Sequence, residues 1–150
     1  MKSLAKNDIV CVDLSFLSHA TEDQAKVLAA ARNVVPSEHV EEVSFNKKNL
    51  KGEYGNPIVF YEAKIKDPKI AEAILRNIGS SLSSFDRETL LRELRLRLTK
   101  GNLYLRLDKQ AACKGTLRLC LADPIRLRVK FRTSKIEEIT EITRRLGMVP

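Results

Sequence analysis

Tryptophan is absent from this 150-residue chain, and the aromatic fraction is only 5%. A core must then be built mainly from Leu, Ile and Val, which the 43% hydrophobic content can supply. Cysteine is scarce and odd in number, with Cys11, Cys113 and Cys120 too far apart for a metal-ligand pair. This argues against a disulfide framework and a zinc site, and fits idle thiols in a reducing cytosol. No apolar run approaches the roughly 20 residues that cross a bilayer, so no membrane partner is expected. The stretch Met1 to Asp8 lacks the apolar segment and cleavage site of a secretory signal, which points to a cytoplasmic protein. Also missing are a Gly-rich phosphate loop, a nucleophile elbow and a His cluster, so neither cofactor nor metal is expected. Asp13, Glu53, Asp108 and Asp123 are the only candidates for magnesium-assisted phosphodiester cleavage. Carboxylates so dispersed are ordinary in soluble proteins, and no enzyme is expected. Length and composition suit one domain over residues 1–150.

Positive charge, by contrast, is concentrated. Residues 86–135 carry 14 Lys and Arg against 5 Asp and Glu, while 1–85 carry 11 of each and 136–150 carry 2 against 3. The net charge of +8 is therefore a directed field that attracts polyanions to one region. Nucleic acid is the obvious one.

Periodicity supplies the scaffold. Residues 8–17 alternate as a strand, with Val10, Val12, Leu14 and Phe16 inward. Thr21-Glu22-Asp23-Gln24 reads as a capping box that opens a helix over 22–34, burying Leu28, Ala31 and Val35 before Pro36. Val40–Phe45 is a second predicted strand, 47–56 a loop, and Ile58–Ile65 a third strand entered through Pro57. Asp67-Pro68 starts a helix with Ile70, Ile74 and Ile78 on one face, followed by the polar break Gly79–Ser84. From Asp86 to Leu98 helical and strand periods compete; the length of 13 residues and a cap at Ser84 or Asp86 favour helix. Three strands follow, around 103–107, 117–121 and 125–131, the last two forming a hairpin across Ala122-Asp123-Pro124. A second capping box at Ser134–Glu137 begins a closing helix with Ile136, Ile139, Ile142 and Leu146 on its core side, ended by Gly147. The predicted order β-α-β-β-α-α-β-β-β-α is an α+β two-layer sandwich, a mostly antiparallel sheet with helices packed on one face.

The third of these final strands carries the strongest functional signal. Arg126, Arg128, Lys130 and Arg132 project from one side at intervals of about 6–7 Å while their neighbours are apolar. A face needing only solubility would mix in acids. Arg106 and Arg118 join that face if the three strands share a sheet, and Tyr104 adds a ring on which an unpaired base can stack. The rival reading pairs this face with acidic residues, either within the chain, in a second copy or in a protein partner. Lys109, Gln110 and Lys114 lie in the connection 109–115, either reaching phosphate or ribose or simply closing a turn between Asp108 and Gly115. His19, just before a helix start, either binds an anion or packs. Asn56, in Tyr54-Gly55-Asn56-Pro57, is either an RNA contact or simply a turn residue, as its type suits, and His39 is expected at the surface.

Three segments, Ser18-His19-Ala20-Thr21-Glu22-Asp23, Gly52–Ile58 and Leu103–Ala111, together with Asp123-Pro124-Ile125, resemble an archaeal family of small RNA-binding proteins described as exosome-associated subunits. The resemblance covers nearly the whole chain. It implies a fold like that of the large-subunit ribosomal protein that binds the small ribosomal RNA, and a role in RNA processing or ribosome biogenesis beside exosome or ribosome-associated proteins. It carries across to His19, Gly55, Asn56, Arg106, Lys109 and Gln110, and favours RNA over DNA and helix over strand for 86–98. Cys113 and Cys120 depart from the family's pattern.

Overall fold

Alternating residues close into a sheet whose two faces differ in character. The computed structural model describes residues 8–150. Its strands are β1 (Ile9–His19), β2 (Asn46–Lys51), β3 (Pro57–Ile65), β4 (Leu98–Thr99), β5 (Asn102–Asp108) and β6 (Pro124–Phe131). They form one antiparallel sheet in the order β2-β3-β1-β6-β5-β4. The helices are α1 (Gln24–Arg32), α2 (Pro68–Ser81), α3 (Ser84–Arg97), α4 (Lys109–Cys113) and α5 (Ile136–Arg145). The α+β layering and the expected order of elements are both present, with the short α4 added between β5 and β6.

On β1, Val12, Leu14 and Phe16 are buried while Asp13, Ser15 and Leu17 are half-buried on the other face. A bulge between Ile9 and Cys11 shifts the phase, so Ile9 takes the core position and Val10, expected there, does not. On α2, Ile70, Ile74 and Ile78 are all buried, and each such side chain contributes about 1.5–3 kcal/mol. The Asp67 carboxylate starts that helix by accepting the Lys69 N–H at 2.9 Å. The core is mostly aliphatic, as composition requires, with one aromatic cluster: Phe16 stacks on Tyr61 at 5.0 Å and meets Phe45 edge-on at 5.6 Å. Near α5's end, a Cβ on Gly79 would lie 2.4 Å from the Leu146 carbonyl oxygen. There α5 ends on Gly147 at φ 82°, with the Met148 N–H donating to the Thr143 carbonyl at 2.9 Å.

Several local expectations are corrected. Val40–Phe45 is no strand; a 3-10 helix occupies Ser37–Glu42, and the strand is β2, within the expected loop. All six β2 residues are exposed, so they offer no hydrophobic period, and pairing with β3 across the 52–56 turn creates the strand. Asp23, not Thr21, caps α1 by accepting the Ala25 N–H, because the chain first turns with the Glu22 N–H on the His19 carbonyl. Gln24 accepts the Tyr61 hydroxyl instead of capping, and Leu28 is half-buried while Val27 and Ala30 take the core. Gly79 to Ser81 belong to α2, and Ser83 caps α3 by accepting the Asp86 N–H. At α5 the expected box is replaced by the Thr133 hydroxyl accepting the Lys135 N–H. His39 is half-buried against Glu42 at 2.9 Å.

The segment 117–121 is no strand either, and the hairpin with β6 does not form. Both edges of β6 are taken, by β1 and β5. The segment instead rests on the far edge of β5 through a single Leu107–Leu119 bridge, with the Cys120 N–H donating to the Arg106 carbonyl at 3.0 Å.

Candidate nucleic-acid interface

Helices cover the sheet's apolar face, and the opposite face carries the charge. Strand register fixes which side chains meet there. Across β1, β6 and β5, Asp13 faces Arg128, which faces Tyr104; one rung along, Ser15 faces Arg126, which faces Arg106. A rung further out, Cys11 faces Lys130, which faces Asn102.

Within this face the cations differ in their freedom. Arg128 donates to the Asp13 carboxylate at 2.7 and 3.0 Å, and that hydrogen bond raises the already high guanidinium pKa. It is held, and reversing its charge would set a Glu beside Asp13. Arg106, Arg126 and Lys130 are exposed and make no ion pair among the described residues. Arg106 and Arg126 stand directly opposite each other, a like-charge cross-strand pair that costs stability unless an anion joins them. Tyr104 is 46% exposed beside them.

The remaining predicted site residues are placed otherwise. Arg118 leaves the sheet with the 117–121 segment and donates to Asp108 at 3.2 Å. Burial raises the Asp108 carboxyl, but the Ala111 N–H and Arg118 outweigh it and hold it below its usual range. Arg132 lies past the end of β6, beside a concavity lined by Asp8, Glu137, Glu138 and Glu141. Gln110 and Lys114 are exposed on α4 and just beyond it, the turn between Asp108 and Gly115 having formed as one helical turn capped by Asp108. Asn56 shapes the β2–β3 turn, its carbonyl accepting the Gly52 N–H at 2.6 Å.

Lys109 is the clearest correction. Only 6% of it is exposed, and its ammonium donates to the Leu17 carbonyl at 2.7 Å, Glu22 at 3.1 Å and Asp123 at 2.9 Å. A buried ammonium needs these acceptors more than it can serve a phosphate. His19 completes the network, with Nε2 3.1 Å from Asp123 and its backbone N–H on Glu22 at 2.9 Å. Burial raises the Asp123 carboxyl, and the bonds from Lys109 and His19 bring it below the usual range. Those contacts also hold Asp123 at φ 44°, a left-handed conformation rarely adopted before proline. Among the described residues, His19, Glu22 and Asp123 are the one group whose ligand atoms come close enough for a metal, within 4.8 Å. Lys109 already supplies a positive charge to two of them. The carboxylates considered for magnesium do not assemble: Asp13, Asp108 and Asp123 are engaged by Arg128, Arg118 and Lys109.

A protein-family model described as RNA binding matches residues 11–131. The chain belongs to this RNA-binding family. The RNA-binding protein PAB1135 of Pyrococcus abyssi is 32% identical over 131 residues, covering 84% of this chain and 85% of that protein. The protein MJ0213 of Methanocaldococcus jannaschii is 32% identical over 140 residues, covering 87% and 93%. The crystal structure of AF2318 from Archaeglobus fulgidus superposes with a TM-score of 0.76 at 30% identity, over 92% of this chain and 99% of that one. These relatives mark the family as archaeal. Three of the segments that carry the family resemblance (18–23, 103–111 and 123–125) meet in the Lys109 network, so their shared residues tie strand ends to helix starts.

Sequence reasoning missed part of the open face. On β3, Ile58, Phe60, Glu62 and Lys64 point there, opposite His19, Leu17, Ser15 and Asp13. Lys48 faces Phe60 from β2. β3 has apolar residues on both faces, so alternation alone could not show that Phe60 lies outside the core.

Proposed function

We propose that this protein is a non-enzymatic RNA-binding protein that holds the RNA backbone on the open face of its sheet. One observation carries the reading: Arg106 and Arg126 face each other across β5 and β6 without a carboxylate partner among the described residues. Lys130, two residues along β6 from the Arg128–Asp13 pair, extends the row. The family match supports RNA as the polyanion. The resemblance in segments 18–23 and 103–111 supports a place in archaeal RNA processing with the exosome, or in ribosome biogenesis, on a fold like the ribosomal protein that binds the small ribosomal RNA. The same reading makes the protein cytoplasmic.

Fluorescence anisotropy against salt tests this. Three to five phosphate contacts give a log–log slope of roughly −2 to −3.5 for single strands. Arg126→Glu should weaken binding to all sequences alike and flatten the slope, with unchanged circular dichroism. A flat salt response, or an acidic protein recovered in place of RNA, would replace this reading by a protein-docking face or a homodimer.

A further inference from the structure

Next to the unpaired arginines lies an apolar strip that the core does not explain. Leu17 and Phe60 are paired across β1 and β3, and Ile58 and Leu50 across β3 and β2, all on the open face. None of the four belongs to the buried core or to the half-buried side chains packed against it. Leu17 is two residues from Ser15, the partner of Arg126, which makes it a diagonal neighbour of Arg126 at about 7–8 Å, with Phe60 one strand further out. On the other side of that pair, Tyr104 is two residues from Arg106. The face thus presents a ring, two free guanidinium groups, then another ring. Its cationic part is narrow. Glu62 stands across Ser15 from Arg126 without an ion pair among the described residues, and Asp13 occupies Arg128.

We infer that this face selects single-stranded RNA, with Phe60 and Tyr104 each stacking an unpaired base while Arg106 and Arg126 hold the phosphates between them. The inference rests on the RNA reading above and adds the class of RNA and the residues that choose it. A double helix keeps its base faces stacked inside and shows only base edges, sugars and phosphates, so it gives the rings no face to stack on. It also carries two phosphate ridges, and Glu62 repels one laid beside the arginines. Single strands expose a π-face at every base, and a ring beside a cation is how sequence-tolerant binders hold them. Leu17 and Ile58 complete the floor against which a base excludes water. Lys48, opposite Phe60 on β2, supplies a further cation beside that ring.

The test compares an unstructured RNA octamer with a blunt RNA duplex of equal phosphate number, by anisotropy at fixed salt, for wild type and three variants. The single strand should bind more tightly than the duplex. Phe60→Leu, which keeps an apolar side chain and removes the ring, should lose about 5- to 150-fold for the single strand and nothing for the duplex. Phe60→Tyr should retain affinity. Tyr104→Leu should behave as Phe60→Leu does. Circular dichroism and thermal melting establish that each variant is folded. Equal or tighter duplex binding, or a Phe60→Leu protein with undiminished single-strand affinity, would overturn the inference and leave the RNA reading standing. Self-association in sedimentation that depends on Phe60 would overturn it in favour of a second copy. Failure of wild type to bind either RNA would remove the underlying reading.

Discussion

Replacing Lys109 with methionine keeps the length of the side chain and removes its charge from the only buried ammonium among the described residues. The lost contacts are those to the Leu17 carbonyl at 2.7 Å, to Asp123 at 2.9 Å and to Glu22 at 3.1 Å. Breaking a buried pair from one side costs about 3–5 kcal/mol, and a stranded carbonyl adds about 1–3 kcal/mol. Glu22 and Asp123 keep 29% and 46% of their side chains in water, so both can rehydrate. That brings the expected loss down to about 2–4 kcal/mol. At about 2–4 °C per kcal/mol for a chain of this size, calorimetry at pH 7 should find Tm lower by about 4–16 °C. The pH dependence has a definite sign. The folded-state pKa of Asp123 is lowered, so its contribution is complete above the unfolded value of about 3.9 and fades as pH falls through the folded value. The gap between variant and wild type should therefore narrow in acid. RNA affinity of the folded variant should be unchanged at pH 7. An unaltered Tm, or a loss of RNA affinity without a loss of stability, would refute the structural role and return Lys109 to the RNA-contacting set.

Gly79→Ala should destabilise by about 1–3 kcal/mol in urea titration, because the added methyl meets the Leu146 carbonyl, and this exceeds the gain of about 1 kcal/mol in helix propensity. A stabilised variant would show that α2 and α5 are not in such close contact. Ser18→Ala should be neutral or slightly stabilising, since the Ser18 hydroxyl is buried without a hydrogen-bond partner among the described residues. A loss above about 1 kcal/mol would mean that the hydroxyl is bonded after all.

Side-chain period made much of this architecture readable in advance. Leu103, Leu105 and Leu107, or Ile70, Ile74 and Ile78, bury one face because no other backbone geometry can, and the α+β layering follows from them. Where burial did not dictate structure, sequence misled. β2 has no apolar face and exists because β3 pairs with it. The leucines of 117–121 alternate like a strand, but β6 has no free edge to receive them. The same division holds for the interface. The row on β6 was evident from alternation, whereas the choice between free and held cations depends on neighbours remote in sequence. Arg128 meets Asp13 only because β1 lies beside β6, and Lys109 turns inward only because the Leu17 carbonyl, Glu22 and Asp123 converge on it. Local spacing carries no trace of such encounters.

The two margins of the sheet bear on how the molecule behaves in a crowd. Unsatisfied backbone amides along a margin invite strands from other molecules, which is how sheets grow into fibrils. On one side that invitation is withdrawn by Lys47, Lys48 and Lys51, whose repulsion keeps a second copy away. The other margin is β4, two residues long and too brief to template anything. Concentrated solutions should accordingly stay dispersed, leaving the broad face between those margins as the surface where contact is welcome.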